Sequence, residues 1–79
     1  MLVRVLFFGA TADIAGQRAV EIDAAGSKTS RDIFDQVVSN FPLLASHRLL
    51  YSVNQRYASG DEIVRDGDEL AIFTAVSGG

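Results

Sequence analysis

The sequence predicts an α+β fold in which a mixed sheet packs on one main helix. Several short runs of apolar or alternating residues have the two-residue period of strands, and one long segment has the spacing of an amphipathic helix. A chain of 79 residues, 48% of them hydrophobic, supplies enough apolar surface for one core. We therefore predict a single domain over residues 1–79, with one helix covering one face of the sheet.

The N-terminal part predicts two strands joined by a short helix. Leu2–Phe8 is rich in β-branched and aromatic residues, which favour a strand. Residues 10–15 allow one or two helical turns before Gly16, a typical helix stop. Residues 20–23 alternate apolar and charged side chains, so this strand should pair antiparallel with the first. Because Arg4 resists burial, the core side of the first strand is predicted to be Val3, Val5 and Phe7.

The main helix is predicted to begin at Thr29. The Thr29 hydroxyl precedes the Asp32 carboxylate by three residues, so these side chains can satisfy the free amide groups at a helix start. Pro42 prevents the helix from continuing far. The apolar stripe at helical spacing consists of Ile33, Phe34, Val37, Val38 and Phe41.

The C-terminal part predicts three further strands. Leu49–Val53 is followed by a turn at Asn54 and Gln55 and by a short return strand over residues 56–58. A second turn, at residues 66–68, leads into a final strand over residues 69–76. The acidic residues around that turn lack the spacing of a calcium loop, so we interpret them as a solvated turn. Residues 25–28 are predicted to form a loop.

One face of the sheet has no predicted cover. Large apolar side chains nevertheless fall on this side, and an exposed apolar patch of this kind marks a protein interface. The predicted partner-binding residues are Leu6, Phe8, Tyr57 and Phe73.

Composition and charge exclude several classes of function. The chain has no cysteine, which excludes disulfides, thiolate metal sites and thiol nucleophiles for this chain acting alone. Its net charge of −3 has the wrong sign for binding phosphates of nucleic acids. The apolar N-terminus is interrupted by Arg4 and is too short for a membrane span or a signal peptide. We predict a cytoplasmic protein that binds no nucleic acid, membrane, metal or cofactor.

The last four residues, Val76-Ser77-Gly78-Gly79, directly follow the predicted final strand. Two glycines make a flexible tail that is thin enough to enter a narrow channel of another protein, with a reach of about 13–14 Å. The Gly79 carboxylate is unreactive by itself, but an adenylating partner can convert it to an acyl-adenylate that sulfur or an amine attacks. The chemistry is therefore predicted at Gly79, on a chain that is not catalytic alone.

Four segments, in order along the chain, resemble the small-subunit family of molybdopterin synthase, the MoaD family. They are Val5-Leu6-Phe7-Phe8-Gly9 with Gly16 beyond it, Val53-Asn54-Gln55, Asp66-Gly67-Asp68-Glu69-Leu70-Ala71, and Val76-Ser77-Gly78-Gly79. The resemblance covers the whole chain. Many members carry two prolines where this chain has Thr74-Ala75, and an arginine-glutamate pair is usual where it has Ala12-Asp13.

The resemblance implies a β-grasp, ubiquitin-like fold and a role as sulfur carrier in molybdenum cofactor synthesis. An activating enzyme would use ATP to adenylate Gly79, which then becomes a thiocarboxylate. The tail would enter the large subunit of molybdopterin synthase, where its sulfur passes to precursor Z (cyclic pyranopterin monophosphate) to form the dithiolene of molybdopterin. Two carriers per pterin imply a heterotetramer of two small and two large subunits, with Phe8, Tyr57 and Phe73 in the subunit contact.

Two other functions stay open from the sequence. A sulfur carrier of the ThiS type, which serves thiazole formation for thiamine, shares the Gly-Gly chemistry, although that type is usually shorter and lacks the Phe7-Phe8-Gly9 opening. A plain β-grasp interaction module would never use its terminal carboxylate. Intact mass separates the carriers from the module, because replacement of one terminal oxygen by sulfur excludes the module.

Overall fold

The structure is a computed structural model that describes residues 1–24 and 29–75. The predicted loop at 25–28 and the predicted tail at 76–79 lie outside these described residues. The elements, in chain order, are β1 (Leu2–Phe7), α1 (Ala10–Ala15), β2 (Ala19–Asp23), α2 (Ser30–Asn40), a 3₁₀ helix (Pro42–Ser46), β3 (Leu49–Val53), β4 (Arg56–Tyr57) and β5 (Glu69–Thr74).

The strands form one mixed, five-stranded sheet with the order β2-β1-β5-β3-β4. The strands β1 and β5 are parallel to each other, and each pairs antiparallel with its outer neighbour. The predicted antiparallel pairing of β1 with β2 is confirmed, with Val3 opposite Ile22 and Val5 opposite Val20. Because α2 packs on one face of this sheet, the predicted α+β class is also confirmed.

The core lies between the sheet and α2. The three predicted core residues of β1 are buried, and so are Ile33 and Val37 of the helix. Burying a side chain of this size stabilises the fold by about 1.5–3 kcal/mol. Phe34 stays partly exposed at the edge of the helix and stacks on Tyr51 of β3, with ring centroids 4.4 Å apart. Four residues of the predicted apolar stripe, Ile33, Phe34, Val37 and Phe41, therefore belong to the core or pack against it, and Val38 does not.

The main helix begins as predicted. The Thr29 hydroxyl accepts a hydrogen bond from the Asp32 amide (3.2 Å), and the Asp32 carboxylate accepts one from the Thr29 amide (3.1 Å). This reciprocal pair satisfies two amide groups at the helix start. The 3₁₀ helix that begins at Pro42 was not predicted from the sequence. It forms where the buried Leu44 completes the core.

The helices are short. α1 ends at Gly16, as predicted, where a φ of +76° lets the Gly16 amide donate to the Ala12 carbonyl. α2 is 11 residues long and ends before Pro42. Within the described ranges, no helix has the length and apolar character needed to cross a membrane.

Several predicted strand ends differ from the structure by one or two residues. β1 ends at Phe7 rather than Phe8, because Gly9 then turns the chain with a φ of +57°. β2 starts one residue earlier than predicted, and β4 ends at Tyr57 rather than at residue 58. β5 ends at Thr74, so Ala75, which the prediction included, is not part of the strand, and the predicted last residue, 76, lies outside the described residues. The predicted order of the elements is unchanged by these differences.

Candidate functional site

The face of the sheet opposite α2 carries an exposed group of large apolar side chains. Alternate residues of each strand point to this open face, so the register determines which side chains are neighbours. One row across β1, β5, β3 and β4 consists of Leu6, Ala71, Ser52 and Tyr57. In the next row, Phe73 of β5 lies opposite Leu50 of β3. We define the apolar cluster as Leu6, Phe8, Leu50, Tyr57 and Phe73.

The apolar cluster contains the four residues that the sequence predicted to bind a partner. Tyr57 and Phe8 are 77% and 52% exposed, which is high for aromatic side chains. The rings of Tyr57 and Phe73 meet edge to face, with centroids 5.7 Å apart. Leu6 and Phe73 are half-buried. The structure thus places the four side chains on one exposed face, and their role in binding stays a prediction.

Leu50 is a member of the apolar cluster that was not predicted from the sequence. It is 42% exposed and lies directly opposite Phe73 across the β3–β5 pair. The signal was present in the alternation of this strand, since Leu49, Tyr51 and Val53 pack toward the core. The residue between two core positions must face the other side.

Phe8 is held in place by the backbone and by α1. Its amide donates to the Ile72 carbonyl of β5 (3.0 Å), which continues the β1–β5 ladder by one bond. The buried Thr11 hydroxyl lies 2.7 Å from the Phe8 carbonyl and 2.9 Å from the Ile72 carbonyl. The start of α1 is therefore attached to the ends of both central strands, and Phe8 lies at that junction.

β1 and β5 are parallel neighbours, so their C-terminal ends lie at the same end of the sheet. The chain therefore leaves β5 close to Phe8, which follows the end of β1. Ala75, the last described residue, donates its amide hydrogen to the Arg48 carbonyl (3.0 Å). This bond extends the β3–β5 ladder beyond Thr74. The predicted tail, Val76, Ser77, Gly78 and Gly79, lies outside the described residues. In sequence, the tail directly follows Ala75, which is bonded to the residue that precedes β3.

The β3–β4 hairpin, which carries Tyr57, is attached to the start of β5. The Asn54 side chain donates to the Asp68 carboxylate (3.1 Å) and accepts from the Glu69 amide (3.0 Å). Asn54 and Gln55 have φ values of +48° and +71°, the backbone required at both central residues of a type I′ turn. The predicted turn at these residues is confirmed.

Glu62 connects the loop before β5 to the start of α2. Its carboxylate accepts hydrogen bonds from the Ser30 hydroxyl (2.6 Å), the Ser59 amide (2.8 Å) and hydroxyl (3.0 Å), and the Gly60 amide (2.9 Å). These bonds, the one from Ser30 foremost, hold the pKa of the Glu62 carboxyl far below its usual range. These hydrogen bonds tie the loop before β5 to the first residue of α2.

The neighbouring carboxylates also bind groups of the chain itself. Asp66 accepts from the Leu2 amide (2.7 Å), and Asp68 accepts from the Arg65 amide (2.8 Å). These contacts, with a φ of +86° at Gly67, confirm the predicted turn. No group of three or more His, Asp or Glu side chains in residues 1–24 and 29–75 is arranged to hold a metal ion.

A model of one protein family, the ThiS family, matches residues 5–79. The chain belongs to the ThiS family. A relative from Drosophila ananassae, named molybdopterin synthase sulfur carrier subunit, is 33% identical over 81 residues that cover 98% of this chain and 90% of the relative. The family-level resemblance given by the sequence motifs is confirmed.

Another member of comparable size is the small archaeal modifier protein 1 of Haloferax volcanii. It is 37% identical over 82 residues, which cover 91% of this ThiS-family chain and 94% of the relative. A crystal structure of the Haloferax volcanii protein superposes with a TM-score of 0.86 at 31% identity, covering 100% of both chains. The sheet and its helix are thus a β-grasp fold, as the resemblance implied.

Proposed function

We propose that this chain is the sulfur carrier subunit of molybdopterin synthase. The observation that carries the proposal is that β5 ends beside the exposed apolar cluster and continues in sequence to Gly78-Gly79. The family membership and the name of the Drosophila relative support it. In this account the open face docks on a partner, and the tail delivers the reacting group.

The proposed chemistry takes place at Gly79. In an activating enzyme, a Gly79 carboxylate oxygen attacks the α-phosphorus of ATP, which forms an acyl-adenylate and releases pyrophosphate. Hydrosulfide from the sulfur donor then attacks the acyl carbon, AMP leaves, and a thiocarboxylate remains after loss of the sulfur-bound proton. ATP serves the activating enzyme, and this chain itself holds no cofactor in the proposal.

The proposed acceptor lies in the large subunit of molybdopterin synthase. That subunit takes up residues 76–79, and the sulfur passes to precursor Z (cyclic pyranopterin monophosphate) to build the dithiolene of molybdopterin. Two sulfurs per dithiolene require two carriers, which is consistent with a heterotetramer of two small and two large subunits. Neither the large subunit nor the activating enzyme needs a catalytic side chain from this protein.

The described residues support the docking step. Aromatic anchors near the centre of an interface contribute much of its binding energy, and the open face carries three aromatic side chains that can serve in this way, Phe8, Tyr57 and Phe73. The Ala75–Arg48 hydrogen bond fixes the point from which the tail extends. Docking of a rigid face therefore limits where Gly79 can go, which reduces the entropy lost when it meets its acceptor.

Intact mass spectrometry tests the proposal. The full chain is incubated with the activating enzyme, ATP and a sulfur donor, and the expected product is heavier by the exchange of one oxygen for sulfur. The matched control lacks Gly79; it should show no such species and should melt at the same temperature as the full chain, because the last residue of a domain usually contributes little to its stability. Absence of the sulfur species, with an enzyme that is active on another carrier, would contradict the proposal.

A second candidate function is favoured by the 37% identity to a protein named a modifier. An amine that displaces AMP would join Gly79 to another molecule through an amide bond. A thiazole-forming acceptor, as for carriers of the ThiS type, is the corresponding alternative within sulfur transfer. The products distinguish the three: molybdopterin, an amide-linked adduct that carries the whole chain, or a thiazole.

A further inference from the structure

An open depression of about 560 Å³ lies beside the apolar cluster. Its apolar wall includes two members of the cluster, Leu6 and Phe8, together with Ala12 of α1. The charged residues that line it are Arg4, Arg18 and Asp13. The depression is therefore continuous with the face that we propose to dock on a partner, and its lining has an excess of positive charge.

Arg4 has acidic neighbours within the sheet. Glu21 of β2 and Glu69 of β5 lie directly opposite it on the adjacent strands. Opposite charges on neighbouring strands offset one another. Arg4 therefore has two carboxylates of the chain itself as neighbours, and of the two lining arginines Arg18 is the better placed to bind an external anion.

Arg18 is exposed and uncommitted in the described part of the chain. Its carbonyl accepts a hydrogen bond from the Phe7 amide (2.9 Å), so its backbone is held against the end of β1. In residues 1–24 and 29–75, its guanidinium makes no ion pair or hydrogen bond, even with Asp13 on the same depression. A fixed backbone with a free guanidinium is suited to binding an anion from outside.

We propose that Arg18 binds a carboxylate of the protein that docks on the apolar cluster. An acidic side chain of that partner enters the depression beside Phe8 and forms a paired contact with the planar guanidinium. The apolar wall excludes water, which strengthens the attraction between the charges. This inference rests on the proposed function and names the charge that its partner must present.

A protein carboxylate fits the depression better than a small free anion. Leu6 and Phe8 belong both to the depression and to the apolar cluster, so a macromolecule seated on the cluster covers the depression as well. Local positive charge beside an apolar face is typical of the complementary rim of a protein interface.

Calorimetric titration of the full chain with the large subunit tests the proposal. We expect Arg18→Ala to weaken the affinity by at least about tenfold, and Arg18→Lys to recover part of that loss, because an ammonium lacks the paired donors. The matched control is Arg65→Ala, which removes the same charge near the start of β1, at a residue that does not line the depression. The control should stay within about twofold of the unmodified chain. All variants should have the same melting temperature as the unmodified chain.

Equal affinities for the unmodified chain, Arg18→Ala and Arg65→Ala would overturn this inference alone, provided that Phe73→Ala still weakens binding. Equal weakening by Arg18→Ala and Arg65→Ala would also overturn it, because the effect would then reflect net charge and no local contact. If the unmodified chain does not bind the large subunit at all, the proposed function fails, and this inference fails with it.

Discussion

Two adjacent residues in the β3–β4 turn show how side-chain identity determines the cost of a backbone conformation. Asn54 and Gln55 both have positive φ, which costs roughly 1–2 kcal/mol for a residue with a Cβ. Asn54 offsets this cost through its hydrogen bonds to Asp68 and Glu69. The Gln55 side chain has no described hydrogen bond to do the same.

Glycine substitutions in this turn should therefore have opposite effects. We expect Gln55→Gly to raise the free energy of unfolding by about 0.5 kcal/mol, because relief of strain exceeds the added entropy of the unfolded chain. Asn54→Gly should lower it by about 1 kcal/mol, since two hydrogen bonds are lost. Urea denaturation of both variants measures the difference. Shifts in the same direction would contradict this account of the turn.

The carboxylate of Glu62 should make stability depend on pH. Its pKa is lowered in the fold, so the ionised group stabilises the protein above its unfolded pKa of about 4.3, and that contribution is lost as pH falls further. We expect Glu62→Gln to melt below the unmodified chain by a constant amount from about pH 7 to 5. The gap should narrow below about pH 4.

The control for this pH profile is Asp61→Asn, a change at the exposed neighbouring carboxylate. It should melt within about a degree of the unmodified chain across the same range, since surface substitutions have small effects. A Glu62→Gln deficit that stays unchanged into acid would show that the hydrogen bonds do not depend on the charge of Glu62.

At the scale of the elements, local signals predicted much of the fold. The capping residues of α2, the alternation in β2 and the turn residues before β5 act within a few positions, so the sequence alone displays them. The 3₁₀ helix depends instead on the burial of Leu44 by distant segments. Such tertiary effects leave little trace in the sequence.

The junction of α1 with the central strands depends on the Thr11 hydroxyl. We expect Thr11→Val, which keeps the shape, to lower the free energy of unfolding by about 1 kcal/mol. The loss is modest because each carbonyl keeps a backbone donor. The amide of residue 11 donates to the Phe8 carbonyl, and the Phe8 amide donates to the Ile72 carbonyl. Hydrogen exchange should show faster exchange of the Phe8 amide. Unchanged stability and exchange would mean that the hydroxyl does not secure this junction.

At the scale of the whole molecule, the two faces of the sheet have different roles. The core lies between one face of the sheet and α2. On the other face, the aromatic side chains of Phe8 and Tyr57 are exposed to solvent. Four of the five cluster residues could be predicted from the sequence, because a chain with one main helix leaves one face uncovered. Leu50 was missed, although the alternation of β3 places it on the open face; only its position opposite Phe73 required the register of β3 with β5. The role of residues 76–79 was predicted from their sequence alone, and it stays a prediction.

Substitutions on the open face should affect binding more than folding. We expect Phe73→Ala to weaken binding to the large subunit by about 1–4 kcal/mol, as truncation of an interface anchor does. The control is Leu43→Ala, at a residue 71% exposed on the 3₁₀ helix and outside the apolar cluster. Its affinity should equal that of the unmodified chain. If the control loses as much affinity as Phe73→Ala, the open face is not the specific docking surface.

The most direct test of the central claim is a single-turnover assay with the thiocarboxylated chain, the large subunit and precursor Z, in the absence of other sulfur sources. The account predicts one molybdopterin formed for every two chains that return to the carboxylate form, measured together by product fluorescence and intact mass. A chain that binds the large subunit and keeps its sulfur, with no molybdopterin formed, would contradict it.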